Sequence, residues 1–123
     1  VIAWLSVEDV IVIHDQLESA PVIDPGKLAA AIARPQATFE GALLHSSVYM
    51  QASVLLHGLC QAHAFLDGNK RTAWVSAVTF LSINGIELSL IGPVEMSDYM
   101  VEVATGIHSA EDTAFLFADL ASG

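Results

Sequence analysis

The sequence predicts an all-α fold: a bundle of about six helices around a central one, with a small flap. Three observations carry that expectation. Apolar residues recur at helical spacing along most of the 123 residues. Helix starts are marked by Ser6 with Asp9, by Asp24 followed by Pro25, and by Ser109 with Asp112. Two long tracts, 41–66 and 72–83, carry no formal charge and suit buried helices.

The elements follow in order. Ser6 opens the first helix, and Val7, Val10, Ile11 and His14 share one face that Leu17 continues. Asp24 is a cap residue, with Pro at the first helical position after it. The short helix from Lys27 to Ala33 stops before Pro35, because the residue before a proline is steered away from helical dihedrals. Gln36 to Leu44 lack helical periodicity and contain Gly41, so a loop or short flap is expected near residues 36–43. A long buried helix is expected from about Ser47 to Ala62, broken by a loop over His63–Gly68. The next runs from Asn69 to Ile83 and stops at Asn84-Gly85. Its uncharged tract marks it as the expected central helix. Ile86 to Ile91 is read as a short strand. Two amphipathic helices, near Pro93–Thr105 and Ser109–Ala121, close the chain. No repeat, low-complexity tract or linker interrupts it, so one domain over 1–123 is expected.

Composition narrows the function classes. Lys plus Arg number four and Asp plus Glu fourteen, a formal net charge of −10, while 54% of residues are apolar. Mean hydropathy is +0.57. That hydrophobicity excludes intrinsic disorder, and so few cations argue against direct nucleic-acid binding. No Lys or Arg follows Arg71, although seven carboxylates do. The single cysteine, Cys60, excludes an internal disulfide framework and a cysteine-built zinc site. It is read as a small core residue, in a chain of the reducing cytoplasm. The 26 uncharged residues from Gly41 to Leu66 could span a bilayer by length. His45, Gln51, His57, Gln61 and His63 among them make a transmembrane helix too costly, so no membrane partner is expected. No signal peptide is visible. The apolar surplus is instead expected to meet another protein.

The chemistry concentrates in His63-Ala64-Phe65-Leu66-Asp67-Gly68-Asn69-Lys70-Arg71. Two of the four cations stand side by side there, at a helix N-terminus. Such an end presents unpaired N–H groups and partial positive charge, and so binds anions. Gly68 allows close backbone approach to a phosphate. Lys70 and Arg71 add full charges, the latter with a fork that suits phosphate, and Asn69 can donate through its amide. Asp67 is a hard oxygen ligand of the kind Mg²⁺ takes beside a nucleotide phosphate. His63 is placed to serve as general base, histidine being the side chain that ordinarily titrates near working pH. Together they form an apparatus for activating a hydroxyl against a phosphate. Singly, each part has an ordinary reading: a structural histidine, a turn with a helix cap, a solvated Lys-Arg pair.

The segment resembles the signature of the Fic/Doc family, His-x-Phe-x-Asp/Glu-Gly/Ala-Asn-Gly/Lys-Arg, and every position from His63 to Arg71 matches it. Residues 33–41 resemble the family's flap region and 79–85 a helix end found in its members, so the likeness spans roughly residues 4 to 120. In this family the position after Asn divides two groups. Fic enzymes usually carry Gly and transfer AMP; Doc toxins carry Lys, as Lys70 does here. The resemblance implies a Fic/Doc-like bundle and a toxin of a toxin–antitoxin system. Such a toxin is an ATP- and Mg²⁺-dependent kinase that phosphorylates a translation factor, elongation factor Tu, and arrests translation.

The resemblance also implies roles. His63 would be the base, Asp67 the Mg²⁺ or orienting ligand, and Gly68, Asn69, Lys70 and Arg71 the phosphate holders, with Phe65 anchoring the loop. Gln61, Val75 and Ser82-Ile83 depart from places where a relative carries Arg or a polar residue. Many Fic enzymes hold an inhibitory Ser/Thr-x-x-x-Glu-Gly/Asn motif, but Glu40-Gly41 has Gln36 four residues earlier. Inhibition by a helical antitoxin segment in an apolar groove is therefore expected. Two alternatives stay open: AMP transfer to a protein hydroxyl at the same site, and a catalytically weak protein that chiefly binds its antitoxin.

Overall fold

Local capping chemistry places most of the helices. Ser6 Oγ accepts from the Asp9 N–H at 3.1 Å, and the Asp9 carboxylate accepts from the Ser6 N–H at 2.8 Å. This box starts α1, Val7–Leu17. Asp24 accepts from the Lys27 N–H at 3.0 Å to start α2, Pro25–Ala33, which a 3-10 turn over Arg34–Gln36 extends. Ser47 caps α3, Val48–Ala62. A second box, Ser109 with Asp112, starts α6, Ala110–Ser122. Between them lie α4, Asn69–Ile83, and α5, Pro93–Ala104. The structure, a computed structural model, describes residues 1–123. It is all-α apart from one two-stranded hairpin.

That hairpin is the expected flap. Strands β1, Thr38–Phe39, and β2, Ala42–Leu43, pair antiparallel, with Thr38 opposite Leu43 and Phe39 opposite Ala42. Glu40 and Gly41 both take positive φ, 51° and 82°, as a two-residue turn matched to strand twist requires.

The core differs from expectation in one respect. The hub is α3, not the helix after the motif. Every residue from Gln51 to Cys60 is buried, and α3 packs on α2, α4, α5, α6 and the 3-10 turn. Helix α4 lies against α1, α3 and α5, with Thr79 only half-buried and Ile83 exposed. Lack of formal charge overstated its burial: Val75, Val78 and Ser82 of the same uncharged tract are also only half-buried, although Thr72 and Ser76, polar as they are, lie inside. Leu55, Leu56, Leu59, Phe65, Ala73, Phe80, Leu81 and Phe117 share one core cluster with Cys60. Burial pushes the Cys60 thiol up from its ordinary 9.0, against a weaker opposing effect of Lys70.

The expected strand over Ile86–Ile91 does not form. A strand needs a sheet edge to pair with, and the neighbouring elements here are helices. The segment has no regular structure and is tied by the Ser89 N–H to Leu120 O at 2.9 Å, with Leu90 exposed. No helix is long and apolar enough to cross a membrane.

Candidate active site

The site forms where α3 ends and α4 begins. His63 terminates α3 in the left-handed region, at φ 49° and ψ 45°. That conformation costs a non-glycine residue about 1–2 kcal/mol. It turns the chain off the helix sharply and leaves His63 exposed. Ala64 and Phe65 then face inward and are buried, while Leu66 and Asp67 face outward.

Three sets of contacts hold this loop. The segment after α1 runs beside it: Leu66 N–H donates to Pro21 O at 3.0 Å, and Ala64 O accepts from Ile23 N–H at 2.7 Å and Asp24 N–H at 3.1 Å. Asn69, itself buried, reaches back to Phe65; its Oδ1 accepts from the Phe65 N–H at 3.0 Å and its Nδ2 donates to Phe65 O at 2.8 Å. The last turn of α1 supplies the third set. The His14 ring lies flat on the Phe65 ring, centroids 3.8 Å apart, and His14 Nε2 donates to Asp67 O at 2.8 Å. Gly68 follows at φ 81°, where a Cβ would sit 3.0 Å from Glu18 Cβ. Both the dihedral and the close approach of α1 require glycine.

Helix α4 therefore begins on a residue without a side chain to cap it. Helices α1, α2, α3 and α6 begin on Ser or Asp. The N–H groups of Asn69, Lys70 and Arg71 find no acceptor in the chain. The ion pairs are His14–Asp15, Lys27–Asp24 and His108–Glu102, so Lys70 and Arg71 have no carboxylate partner in a chain of net charge −10. Arg71 makes one long contact, from Nη1 to Leu17 O at 3.4 Å. Two free cations at the positive end of a helix repel one another and the dipole, and an anion between them relieves both.

These groups share one cleft of about 470 Å³, lined by His63, by Leu66 through Arg71, and by Pro93, Met96 and Ser97 of α5. The structure thus brings together every residue the sequence singled out. Asp67 is the one carboxylate in the lining, and one of its oxygens accepts from the Gly68 N–H at 2.8 Å. A lone carboxylate fits Mg²⁺, which usually keeps waters and takes one or two carboxylates beside substrate phosphates. Phe65 takes the Asn69 amide oxygen and one of the two amide hydrogens; the second amide hydrogen and the backbone N–H of Asn69 make no hydrogen bond within the chain.

Sequence reasoning missed four residues, one on α1 and three on α5. His14 stood on the apolar face of α1 without a ligand partner in the sequence; its burial among apolar neighbours was the available signal. Pro93, Met96 and Ser97 close the cleft from α5, and no local pattern marks them.

The model for the Fic/DOC family matches residues 4–81. A protein named Toxin Doc, from Mycolicibacterium smegmatis, is 49% identical over 85 residues, covering 68% of this chain and 65% of that protein. The chain thus spans just under two thirds of that relative's length. A protein named Protein kinase doc, from Escherichia phage P1, is 33% identical over 115 residues, covering 89% of each. With the family model matching more than half its length, this chain belongs to the Fic/Doc family.

Proposed function

We propose that the chain is a toxin of the Doc type, a kinase that moves the γ-phosphate of ATP onto a hydroxyl of elongation factor Tu and so arrests translation. The observation that carries the reading is the α4 N-terminus. Three free N–H groups, two unpaired cations, one carboxylate and an exposed histidine converge there on a single cleft. The names of the two relatives, a toxin and a protein kinase, support it.

The step is a proton-coupled displacement. His63 takes the proton from the substrate hydroxyl as its oxygen attacks the γ-phosphorus. The bond to the β-phosphate oxygen breaks, and ADP leaves with that electron pair. Lys70, Arg71 and the N–H groups of α4 hold the phosphate charge as it shifts. Asp67 would hold Mg²⁺, which when bound supplies further neutralisation of phosphate charge. The protein would act in the cytoplasm, where its substrate lies.

Control would come from a cognate antitoxin with a helical segment. Apolar surface remains for one: Phe115 is 73% exposed beside an apolar hollow of about 280 Å³ between α3 and α6.

The deciding experiment mixes the protein, Mg²⁺ and elongation factor Tu with ATP labelled at either the γ- or the α-phosphate. Label from the γ position alone is expected. Label from the α position assigns AMP transfer instead, and no label from either, together with tight binding of the cognate antitoxin, assigns a protein that chiefly binds its antitoxin.

A further inference from the structure

We propose that His14 is a positioning residue for the cleft: it holds the Asp67–Gly68 peptide with its carbonyl turned into the protein, so that the α4 N-terminus meets the cleft with N–H groups only. The inference rests on the reading of the cleft as a phosphate site.

His14 is fully buried on α1, and its partner Asp67 lies 53 residues further along the chain. A carbonyl oxygen only accepts, so the 2.8 Å contact places a hydrogen on Nε2. The other nitrogen, Nδ1, lies 3.1 Å from the Asp15 carboxylate. Ring and loop also pack: the His14 and Phe65 planes are 8° from parallel, and a Cβ on Gly68 would sit 3.4 Å from Nε2.

The held peptide has two edges. Its carbonyl points inward to His14. Its N–H, on Gly68, donates to the Asp67 carboxylate at 2.8 Å. One hydrogen bond from His14 thus sets the carbonyl and, through the rigid trans peptide, the carboxylate as well. The glycine makes this lock necessary. A peptide preceding glycine can rotate into dihedrals closed to other residues. Rotation here would turn a carbonyl dipole toward the anion site and release Asp67. Stacking alone cannot resist it, because a ring face on Phe65 exerts no torque on the peptide beyond.

His14→Phe separates the two roles, since phenylalanine keeps the stack and the bulk but has no donor. His14→Gln restores a donor N–H at a similar reach. Four readouts apply: folding by circular dichroism, amide exchange at Gly68–Arg71 by NMR, Mg-ADP affinity by calorimetry, and γ-phosphate transfer to elongation factor Tu. In His14→Phe the fold is expected to persist, with Mg-ADP affinity about tenfold weaker, a change equal to one net hydrogen bond. Exchange at Gly68–Arg71 quickens, and kcat falls about 10²-fold with KM for the protein substrate unchanged. His14→Gln recovers most of each. A folded His14→Phe that matches the parent in exchange and Mg-ADP affinity overturns the proposal.

If His14→Phe fails to fold, the parent alone decides. A solvent-protected His14 Nε2–H is expected, and a freely exchanging one refutes the lock. A parent that binds Mg-ADP but labels no elongation factor Tu would remove the proposed substrate and leave the His14 result standing.

Discussion

Asn69 and Phe65 exchange two hydrogen bonds across one turn of chain, 3.0 Å into the amide oxygen and 2.8 Å out of the amide nitrogen. The first residue of α4 thereby clamps the residue that anchors the preceding loop in the core. The clamp joins the inward half of the motif, Ala64 and Phe65, to its outward half, Asp67 to Arg71. The same side chain that a reading by residue type assigns to phosphate fastens the loop, with its second amide hydrogen and its backbone N–H left without a partner in the chain.

Asn69→Ala should therefore act first on stability. It strands the buried Phe65 N–H and C=O, a loss of about 2 kcal/mol. For a domain of this size that lowers Tm by about 8 °C. Calorimetric melting checks this, and a Tm within a degree of the parent would show the clamp to be dispensable.

His63→Ala should leave the fold intact, because the side chain is exposed and forms none of the loop's hydrogen bonds. Transfer should drop by about 10²–10⁴-fold, the usual span for a general base. Labelled-phosphate assays on the folded variant measure it, and an unchanged rate removes His63 from the chemistry.

Lys70→Gly asks whether one side chain selects the reaction. A bare backbone at this place would admit a phosphate close against the helix end, whereas a lysine side chain would fill that space and carry its charge outward. Lys70 is exposed and unpaired, so its loss should cost binding and rate more than stability. γ-Phosphate transfer should fall by at least about tenfold, the weight of one charge-assisted hydrogen bond. A variant that binds ATP and transfers at the parent rate would show that the lysine does not set the reaction.

Acid should weaken the fold in two steps. Burial holds His57 below its ordinary 6.5, with His108 adding to the depression and Glu111 and Asp112 opposing it. Its Nε2 meets Thr113 Oγ1 at 2.8 Å, joining α3 to α6. Just under pH 6.5 the unfolded chain binds a proton that the folded chain refuses. Stability from this group is therefore present above pH 6.5 and is lost as the pH falls through the folded value. Asp9 and Asp112 are held below their ordinary 3.8 by the hydrogen bonds of their capping boxes. Their contribution is present above pH 3.8 and is lost below it. Urea midpoints across pH 3–8 measure both steps. His57→Gln should flatten the upper one alone, and a slope unchanged in that variant would assign the upper step elsewhere.

Short-range chemistry was legible without coordinates. Ser6, Asp24 and Ser109 announce their helices because a cap acts within four residues. The Asn84-Gly85 stop and the flap around Gly41 are equally local, although the two-residue turn at Glu40-Gly41 appears only in the structure. The motif was legible for a similar reason: His63 to Arg71 are consecutive, so a loop entering a helix is enough to gather them. The misreadings share the opposite property. Ile86–Ile91 has strand composition, yet a strand depends on an edge supplied by another part of the chain. The rank of α3 over α4 depends on how many neighbours each helix meets, which absence of charge does not encode.

What the sequence determined by itself was the set of chemical groups and their order at one helix end. Only the tertiary structure decided their orientation, because orientation comes from residues distant in the chain. Asn69 turns inward because Phe65 is buried there. Gly68 is irreplaceable because Glu18 lies against it, and the Asp67 carbonyl faces inward because α1 brings His14 to it. A hydrogen bond between residues 53 positions apart exists only after the chain has closed that loop and paid its entropy, and no local pattern records it.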